Sequence, residues 1–311
     1  MTNYIICFFY LQSILCFDMK TIISYTKLTF IVIYYMLLNI MFITAYILVT
    51  VWTYLHFNLT ILGGFILTNF KMIIQYDGTR YSGWQKQGNT DNTIQGKLEA
   101  VLKKMTGEDI EIHGSGRTDA GVHALGQVAN FKSDTQKSTK EIQSYINEYL
   151  PLDIRVISVD KANPRFHARL NACKKHYRYT IDNRETAGVF LRKYMTRSTE
   201  KYNIDNMRKA ASFLIGEHDF KSFCDNKRMK KSTVRTIEKI EISDNDGILT
   251  MDFYGNGFLY HMVRILTGTL LNVGTGKLKP DDIINIIDAK SREAAGFTAP
   301  PQGLMLVEVT Y

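Results

Sequence analysis

The chain of 311 residues has few cysteines, and none of them has the spacing that holds a metal ion or a redox centre. The four cysteines, Cys7, Cys16, Cys173 and Cys224, form no Cys-x-x-Cys pair and no cluster with histidine. Two of them lie before residue 67, so the rest of the chain has no set of cysteines for a disulfide framework. The sequence therefore predicts a reduced, cytoplasmic protein that uses no metal and no cofactor.

The sequence also lacks the common phosphate-binding and hydrolase motifs. The glycines that follow His113 do not form G-x-G-x-x-G, because four residues separate Gly116 from the next glycine. Gly276-Lys277 lacks the upstream glycine and the following Ser or Thr of a P-loop. Neither G-x-S-x-G nor H-E-x-x-H is found. These absences argue against nucleotide-dependent chemistry, a nucleophile elbow and a zinc protease.

Charge is nearly absent from the first 70 residues, which contain only Asp18, Lys20 and Lys27. The apolar run at 28–57 exceeds the roughly 20 residues that cross a bilayer, which predicts a transmembrane helix. A single span with a cytoplasmic N-terminus would, however, place the basic remainder outside the cell. The composition is also typical of AT-rich non-coding DNA read in frame. We therefore favour a wrongly assigned start, with the true one near Ile66 or Leu67, over a membrane segment, and exclude the hydrophobic leader 1–66 from the fold prediction.

Basic residues exceed acidic ones in the rest of the chain, at 36 Lys and Arg against 29 Asp and Glu. The cations concentrate in two runs, 161–198 and 227–235. Aromatic and imidazole rings are interleaved with the first run, at Phe166, His167, His176, Tyr177 and Tyr179. Cations follow phosphates and flat rings stack on splayed bases, so this pattern favours a nucleic-acid surface over a merely solvated charged face.

Apolar periodicity predicts an α+β fold. The predicted strands are 71–76, 109–113, 125–131, 153–160, 174–182, 233–243, 247–255 and 304–311. The predicted helices are 93–105, 138–149, 204–214, 258–273 and 280–289. These elements come in two comparable rounds, 67–165 and 166–311. They predict two similar α/β halves that form a mainly antiparallel sheet flanked by helices, with a central basic cleft between the halves.

One acid, Asp119, lies in a glycine-rich loop between two predicted strands. Most loop aspartates only accept hydrogen bonds from nearby backbone amides. Here Gly114, Gly116 and Gly121 are expected to allow positive φ and the close approach of a ligand. The neighbouring Arg117 is expected to keep the carboxylate ionised, and an ionised carboxylate is a competent nucleophile. The loop therefore predicts a nucleophilic site.

The predicted helix 258–273 is apolar except for a few residues, of which Arg264 is the most costly to bury. A guanidinium in such a helix requires a partner, unless the side chain extends its charged end into water. Both interpretations are open from the pattern alone. On the first, Asp119 is the candidate partner.

Five blocks of sequence together resemble one known family. They are YDGTRYSGWQKQ (76–87), GSGRTDAGVHALGQVANF (114–131), RFHARLNACKKHYRYTI (165–181), GEHDFKSF (216–223) and NGFLYHMVRILTGTLLNVG (256–274). In order and spacing these blocks resemble the tRNA pseudouridine synthase A family. The similarity extends from about Asn69 to Tyr311 and leaves out the leader.

The resemblance implies a pseudouridine synthase fold and an isomerase that acts on uridines 38, 39 and 40 in the anticodon arm of tRNA, without a cofactor. At the matching positions Asp119 is the catalytic nucleophile, which attacks either the ribose C1′ or the base C6, and Arg264 is its partner. Tyr177 matches the residue that contacts the target base, and Arg117 matches the one associated with base flipping. The same blocks contain three further candidate substrate-binding residues, Arg169, Arg178 and His123.

The resemblance further implies a cytoplasmic homodimer in which one tRNA spans both subunits. The alternative is a non-catalytic basic RNA-binding protein, tethered to a membrane if residues 28–57 are translated. Such a protein would keep the basic runs and would not need Asp119 or Arg264.

Overall fold

The computed structural model describes residues 24, 26–54, 67–226 and 231–311, in two units that divide after Ile66. In the first unit the helix α1 (Thr26–Tyr54) has 29 residues, and its most apolar window of 18 residues has a mean hydropathy of 2.1. It is long and apolar enough to cross a membrane, and none of its most apolar window is buried against protein. A signal sequence near an N-terminus has the same properties. The apolar helix expected at 28–57 is thus present as far as Tyr54, and the other predictions for the leader lie outside the described residues.

The second unit, Leu67–Tyr311, is built on one mixed sheet. The described residues of this unit form ten strands: β1 (Thr68–Tyr76), β2 (His113–Gly114), β3 (His123–Ser133), β4 (Ile154–Ala162), β5 (Lys174–Asp182), β6 (Thr196–Arg197), β7 (Gly216–Asp219), β8 (Val234–Asn245), β9 (Ile248–Gly255) and β10 (Leu304–Thr310). The order is β4-β1-β3-β10-β5-β9-β8-β7, with β2 beside β3 and β6 beside β5. Only the β3–β10 and β5–β6 pairs are parallel, so the predicted mainly antiparallel sheet is confirmed.

Among the described residues of this unit, five helices flank the sheet: α2 (Ile94–Thr106), α3 (Thr139–Tyr149), α4 (Ile204–Ser212), α5 (Met262–Gly274) and α6 (Asp282–Ala289). Their ends follow local side-chain chemistry. Ser138 and Glu141 form the predicted capping box at the start of α3. Gly107 ends α2 in the left-handed conformation, with φ of 82°.

The sheet is continuous across the predicted boundary between 67–165 and 166–311. Strand β10, at the end of the chain, lies between β3 of the first part and β5 of the second. Ala124 pairs with Leu306, which in turn pairs with Tyr177. The segment before β3 and the middle of β5 are therefore held at one level of the sheet. The division into two similar halves stays a prediction.

Two predicted elements differ from the structure. The strand predicted at 109–113 is reduced to β2, because Ile110 and Ile112 pack into the core without a ladder of hydrogen bonds. Their alternation with polar residues reflects burial alone. The helix predicted at 258–273 begins only at Met262, because His261 has φ of 60°, which an α-helix cannot continue through.

Helix α5 packs directly against the segment 295–299 through two glycines. A Cβ atom on Gly268 would overlap the carbonyl oxygen of Phe297, and one on Gly296 would lie 2.7 Å from the backbone of Thr269. The Gly296 amide donates a hydrogen bond of 2.9 Å to the Thr269 hydroxyl. This close approach of backbone to helix depends on the missing side chains.

We predict that Gly268→Ala destabilises the Leu67–Tyr311 unit by about 2–3 kcal/mol, because the methyl group overpacks a rigid contact. Helix propensity alone would give the opposite sign, a gain of roughly 1 kcal/mol. Urea unfolding of the two proteins measures the difference. The control is Gly88→Ala, where an added Cβ meets nothing within 4 Å; a stabilised Gly268→Ala variant would contradict the packing described.

Candidate active site

The loop 115–122, which carries Asp119, is held by hydrogen bonds to residues of strand β3. The Ser115 amide donates to the Val128 carbonyl at 2.7 Å. The Gln127 side chain donates to the Gly116 carbonyl at 3.0 Å and accepts from the Ser115 hydroxyl at 2.6 Å. Ser115 and Gln127 are both fully buried, so these bonds are made away from water.

Thr118, immediately before the acid, is held on both its side chain and its backbone. Its hydroxyl forms a hydrogen bond of 2.8 Å with the hydroxyl of Tyr76, and its carbonyl accepts from the Trp84 amide at 3.0 Å. Burial raises the pKa of the Tyr76 phenol far above its usual range, so this hydroxyl stays protonated. The fixed position of Thr118 therefore sets the direction in which the Asp119 side chain points from the backbone.

The loop glycines serve packing more than unusual backbone angles, which corrects the expectation from sequence. Of the three, only Gly121 has a positive φ, of 78°. A Cβ on Gly114 would lie 2.6 Å from the Trp84 ring, and one on Gly116 would lie 2.7 Å from Nζ of Lys175. The rigid Trp84 ring thus requires a glycine at position 114, whereas the flexible end of Lys175 could move away from a Cβ at position 116.

The Asp119 carboxylate is contacted by two nitrogen-bearing side chains from the start of α5. Arg264 Nη1 lies 3.0 Å from Oδ2 of Asp119, and His261 Nε2 lies 3.5 Å from the same oxygen. The Asp119 side chain is 19% exposed and that of Arg264 is 13% exposed. Arg264 is itself held by a bond of 2.7 Å from Nε to the Ala299 carbonyl. The pairing that the sequence suggested for Arg264 is therefore present.

His261 is the residue that the sequence reasoning missed. Its Nδ1 lies 2.6 Å from Oδ2 of Asp225, on the side away from Asp119. A signal existed, because His261 is three residues before Arg264 in the same block, and such residues share one side of a helix. Asp225 has no comparable signal, since it lies outside the five blocks of sequence.

Tyr177 lies in the same region, on β5. It is 8% exposed and its ring meets Phe258 edge-on, with ring centroids 5.3 Å apart. Burial, together with the nearby Tyr76 and Asp119, raises the pKa of the Tyr177 phenol well above its usual range. Within the described chain its hydroxyl makes no hydrogen bond, so it is available to a ligand as a neutral donor.

The other predicted site residues differ in their surroundings. Arg117 is exposed, and in the described chain no ion pair joins it to Asp119; the carboxylate pairs with Arg264 instead, which corrects the expected partner. Arg178 points to the opposite side of β5 from Tyr177, where its Nε donates to Asp252 at 2.9 Å.

His123 is 1% exposed, and its Nδ1 accepts from the Gly78 amide at 3.1 Å. These contacts favour a structural role, and the assignments of His123 and Arg178 to substrate binding stay predictions without support from the geometry.

A group of cations lies beside the loop. Nζ of Lys175 donates to the Ser115 carbonyl at 2.8 Å, and its side chain has no carboxylate partner among the residues described. Burial lowers the pKa of Lys175 to about 8, and the charges of Arg169 and Arg235 add to this effect. Arg169 is exposed, and its assignment to substrate binding stays a prediction.

No group of three or more His, Cys, Asp or Glu residues in the described ranges is arranged to hold a metal ion.

We predict that Arg264→Met destabilises the protein by about 1–3 kcal/mol, because it leaves the partly buried Asp119 carboxylate without its main partner. Asp119→Asn alone costs less, because a neutral amide needs no counter-charge. Urea unfolding of both single variants and the double variant forms a thermodynamic cycle. A coupling energy near zero would contradict the ion pair.

The comparisons with known proteins agree with this geometry. The family model described as tRNA pseudouridine synthase matches residues 72–171 and 210–311. The tRNA pseudouridine synthase A of Bacillus sp. (strain KSM-64) is 49% identical over 245 residues, which cover 79% of this chain and 100% of the relative. The tRNA pseudouridine synthase A 1 of Clostridium tetani (strain Massachusetts / E88) is also 49% identical over 245 residues, with the same coverage of both chains. The tRNA pseudouridine synthase A of Thermoanaerobacter sp. (strain X514) is 44% identical over 245 residues, again covering 100% of the relative. The chain therefore belongs to the tRNA pseudouridine synthase A family.

Proposed function

We propose that this chain converts uridine to pseudouridine at positions 38, 39 and 40 in the anticodon arm of tRNA, with Asp119 as the nucleophile. One observation carries the proposal. The Asp119 carboxylate is held on Oδ2 by Arg264 and His261, while no hydrogen bond from a described residue reaches Oδ1. A carboxylate fixed on one oxygen presents the other to a substrate.

The isomerisation proceeds with balanced bonds and no redox change. Asp119 forms a covalent bond to the ribose C1′ or to the base C6, and the glycosidic N1–C1′ bond breaks. The base turns, C5 bonds to C1′, the C5 proton leaves and N1 gains a proton. Asp119 departs as a carboxylate, either from C1′ as the C5–C1′ bond forms or from C6 after it has formed, and Arg264 stabilises it again through its charge.

The target base has to leave its stack before this chemistry, at a cost of roughly a few kcal/mol that is smallest in a loop. The half-buried position of Asp119, 19% exposed, is consistent with a base that enters the site from outside. Tyr177 offers its unpaired hydroxyl and ring to the flipped base. The exposed Arg117 is suited to fill the space that the base leaves.

A non-catalytic RNA-binding protein is disfavoured by the same observation. Binding to phosphates requires cations on the surface, and it does not require a carboxylate paired with arginine and histidine in a fixed loop. Burying Asp119 and Arg264 together costs free energy that binding alone would not recover.

We further propose that the unit Leu67–Tyr311 acts in the cytoplasm as a homodimer, with one tRNA in contact with both subunits. The support is the family resemblance together with a chain that has no disulfide framework. Sedimentation of the unit with and without tRNA measures this stoichiometry.

We predict that Asp119→Asn abolishes pseudouridine formation and leaves tRNA affinity within about threefold, because the amide keeps the shape and loses the nucleophile. The measurement is single-nucleotide mapping of pseudouridine in unmodified tRNA transcripts, beside a binding titration. Product at 38, 39 or 40 with the unsubstituted protein supports the reaction. Normal turnover by Asp119→Asn would contradict the assignment of Asp119 as the nucleophile.

We also predict a pH limit on tRNA binding that depends on Lys175. Phosphate binds the charged amine, and the pKa of about 8 means that this charge is lost above pH 8. Affinity for tRNA should therefore fall by up to about tenfold from pH 7 to pH 9, and Lys175→Met should bind more weakly at pH 7 and lose this dependence.

The control is Lys174→Met, since exposed Lys174 pairs with Glu238 at 2.7 Å. Because an unfolded lysine keeps its proton to about pH 10, the native state gains stability between pH 8 and pH 10 in the unsubstituted protein and not in Lys175→Met. A pH profile unchanged by Lys175→Met would contradict the proposed phosphate contact.

A further inference from the structure

The site contains a second set of contacts that the family resemblance does not assign. It begins at Asp225, which follows the short turn Phe220–Phe223, and reaches Asp119 through His261. Both of the groups that touch Asp119 lie at the start of α5, so one helix end controls the carboxylate. The question is what fixes the imidazole of His261 in place.

Asp225 fixes the orientation of the ring. Its Oδ2 lies 2.6 Å from Nδ1 of His261, and a carboxylate only accepts hydrogen bonds, so Nδ1 carries a hydrogen and Nε2 faces Asp119. Burial raises the pKa of the Asp225 carboxyl, but hydrogen bonds from His261 and Arg292 and the charge of Arg292 outweigh it and lower the pKa overall. Asp225 is therefore an ionised acceptor at neutral pH.

Arg292 in turn holds Asp225. Its Nε donates to Oδ1 of Asp225 at 2.7 Å, its Nη1 to the Gly296 carbonyl at 2.9 Å and its Nη2 to the Thr298 hydroxyl at 2.9 Å. All three acceptors are used by one guanidinium that is 19% exposed. The chain Arg292–Asp225–His261–Asp119 is thus anchored at its far end.

The backbone of His261 supports a functional constraint. With φ of 60° it lies in the left-handed region, and its side chain makes no cap for α5. The Tyr260 ring stacks on the imidazole with centroids 3.7 Å apart. Strained backbone of this kind concentrates at functional sites.

The imidazole lies between two carboxylates. Its Nε2 is 3.5 Å from Oδ2 of Asp119, and its Nδ1 is 2.6 Å from Oδ2 of Asp225. The charged groups around the ring are the carboxylates of Asp119 and Asp225 and the guanidinium groups of Arg264 and Arg292, with Tyr260 above it. A carboxylate only accepts hydrogen bonds, so both carboxylates can accept from this ring and neither can donate to it.

We propose that Asp225, backed by Arg292, is a positioning residue that holds the His261 imidazole against Oδ2 of Asp119, so that His261 and Arg264 together aim Oδ1 at the uridine. The inference rests on the proposed role of Asp119 as nucleophile. It adds a second contact, from His261, to the pairing of Asp119 with Arg264. This contact affects the rate of the chemical step, since misplacing a reacting group by about 1 Å lowers that rate on the order of 100-fold.

A matched pair of substitutions separates the two nitrogens of His261. The amide nitrogen of glutamine falls near the place of Nε2, so His261→Gln keeps a donor toward Asp119. The amide nitrogen of asparagine falls near Nδ1, so His261→Asn keeps the contact with Asp225 and loses the one with Asp119. At saturating enzyme we expect the single-turnover rate to fall less than about tenfold in His261→Gln and about 100-fold in His261→Asn, with the tRNA Kd unchanged in both.

Asp225→Asn tests the residue behind the ring, and Asp252→Asn is its control. Asp252 contacts His176 at 2.5 Å and Arg178 at 2.9 Å on the other face of β5, so it forms the same kind of trio without touching Asp119. We expect Asp225→Asn to lower the single-turnover rate about tenfold at unchanged tRNA Kd, and Asp252→Asn to leave the rate unaltered. Equal rates for Asp225→Asn and the unsubstituted protein would overturn the proposal, as would a fully active His261→Asn.

A measurement that needs no activity keeps this inference separate from the proposed function. The unit Leu67–Tyr311 has its own core, and the relatives align over 100% of their length to 245 residues of this chain, so the unit can be studied alone. In ¹⁵N NMR of histidine-labelled unit, the His261 Nε2 signal, assigned by its loss in His261→Gln, should shift on Asp119→Asn and not on Asp252→Asn. An unshifted signal would reject the contact. A shifted signal in a unit that forms no pseudouridine would reject the proposed function and retain the positioning of Asp119.

Discussion

The ion pair between Asp119 and Arg264 joins two parts of the chain that are 145 residues apart in sequence. Both side chains are mostly buried, and such a pair is stable only when its geometry is fixed and its remaining polar atoms are satisfied. The surrounding structure meets these conditions on each side. Thr118 is held through its hydroxyl and carbonyl, and Arg264 donates through Nε to the Ala299 carbonyl. Each partner of the ion pair is thus also held by contacts of its own.

The sheet explains why the two sides meet at all. Strand β10 places Leu306 between Ala124 of β3 and Tyr177 of β5, in a single row across the strands. The loop before β3 and the middle of β5 therefore lie at one level of the sheet. Side chains supported by strands are held more precisely than those on free loops. The tight contact of Gly268 with Phe297 sets the depth of α5, which carries Arg264, against the segment 295–299. Each of these contacts joins residues that are far apart in sequence.

The sequence is sufficient to predict what is local or periodic. The capping box of Ser138 and Glu141 and the alternation in β5 are properties of neighbouring residues, and both are found in the structure. The resemblance extends the prediction to Asp119 and Arg264, because the five blocks carry the family's pattern. It does not extend to Asp225, which lies outside those blocks and reaches the site only because the fold brings it there. Other predictions are wrong for physical reasons that a pattern does not contain. Arg117 is close to Asp119 in sequence, yet the carboxylate is paired with Arg264 of α5. Residues that are close in a loop sequence can point their side chains in different directions, because the backbone turns between them.

The cations of this unit fall into two kinds, and the difference indicates what each does. Arg264 and Arg292 each bind a carboxylate and a backbone carbonyl, so their charge is used within the protein. Lys175, Arg169 and Arg235 have no carboxylate partner in the described ranges, and the charges of Arg169 and Arg235 both disfavour the charged form of Lys175. A polyanion bound at these residues would offset that effect. On the proposed function, the paired cations near the acid serve the chemical step and the unpaired ones beside it serve the binding of RNA, so that affinity and rate would be governed by different residues of one small site.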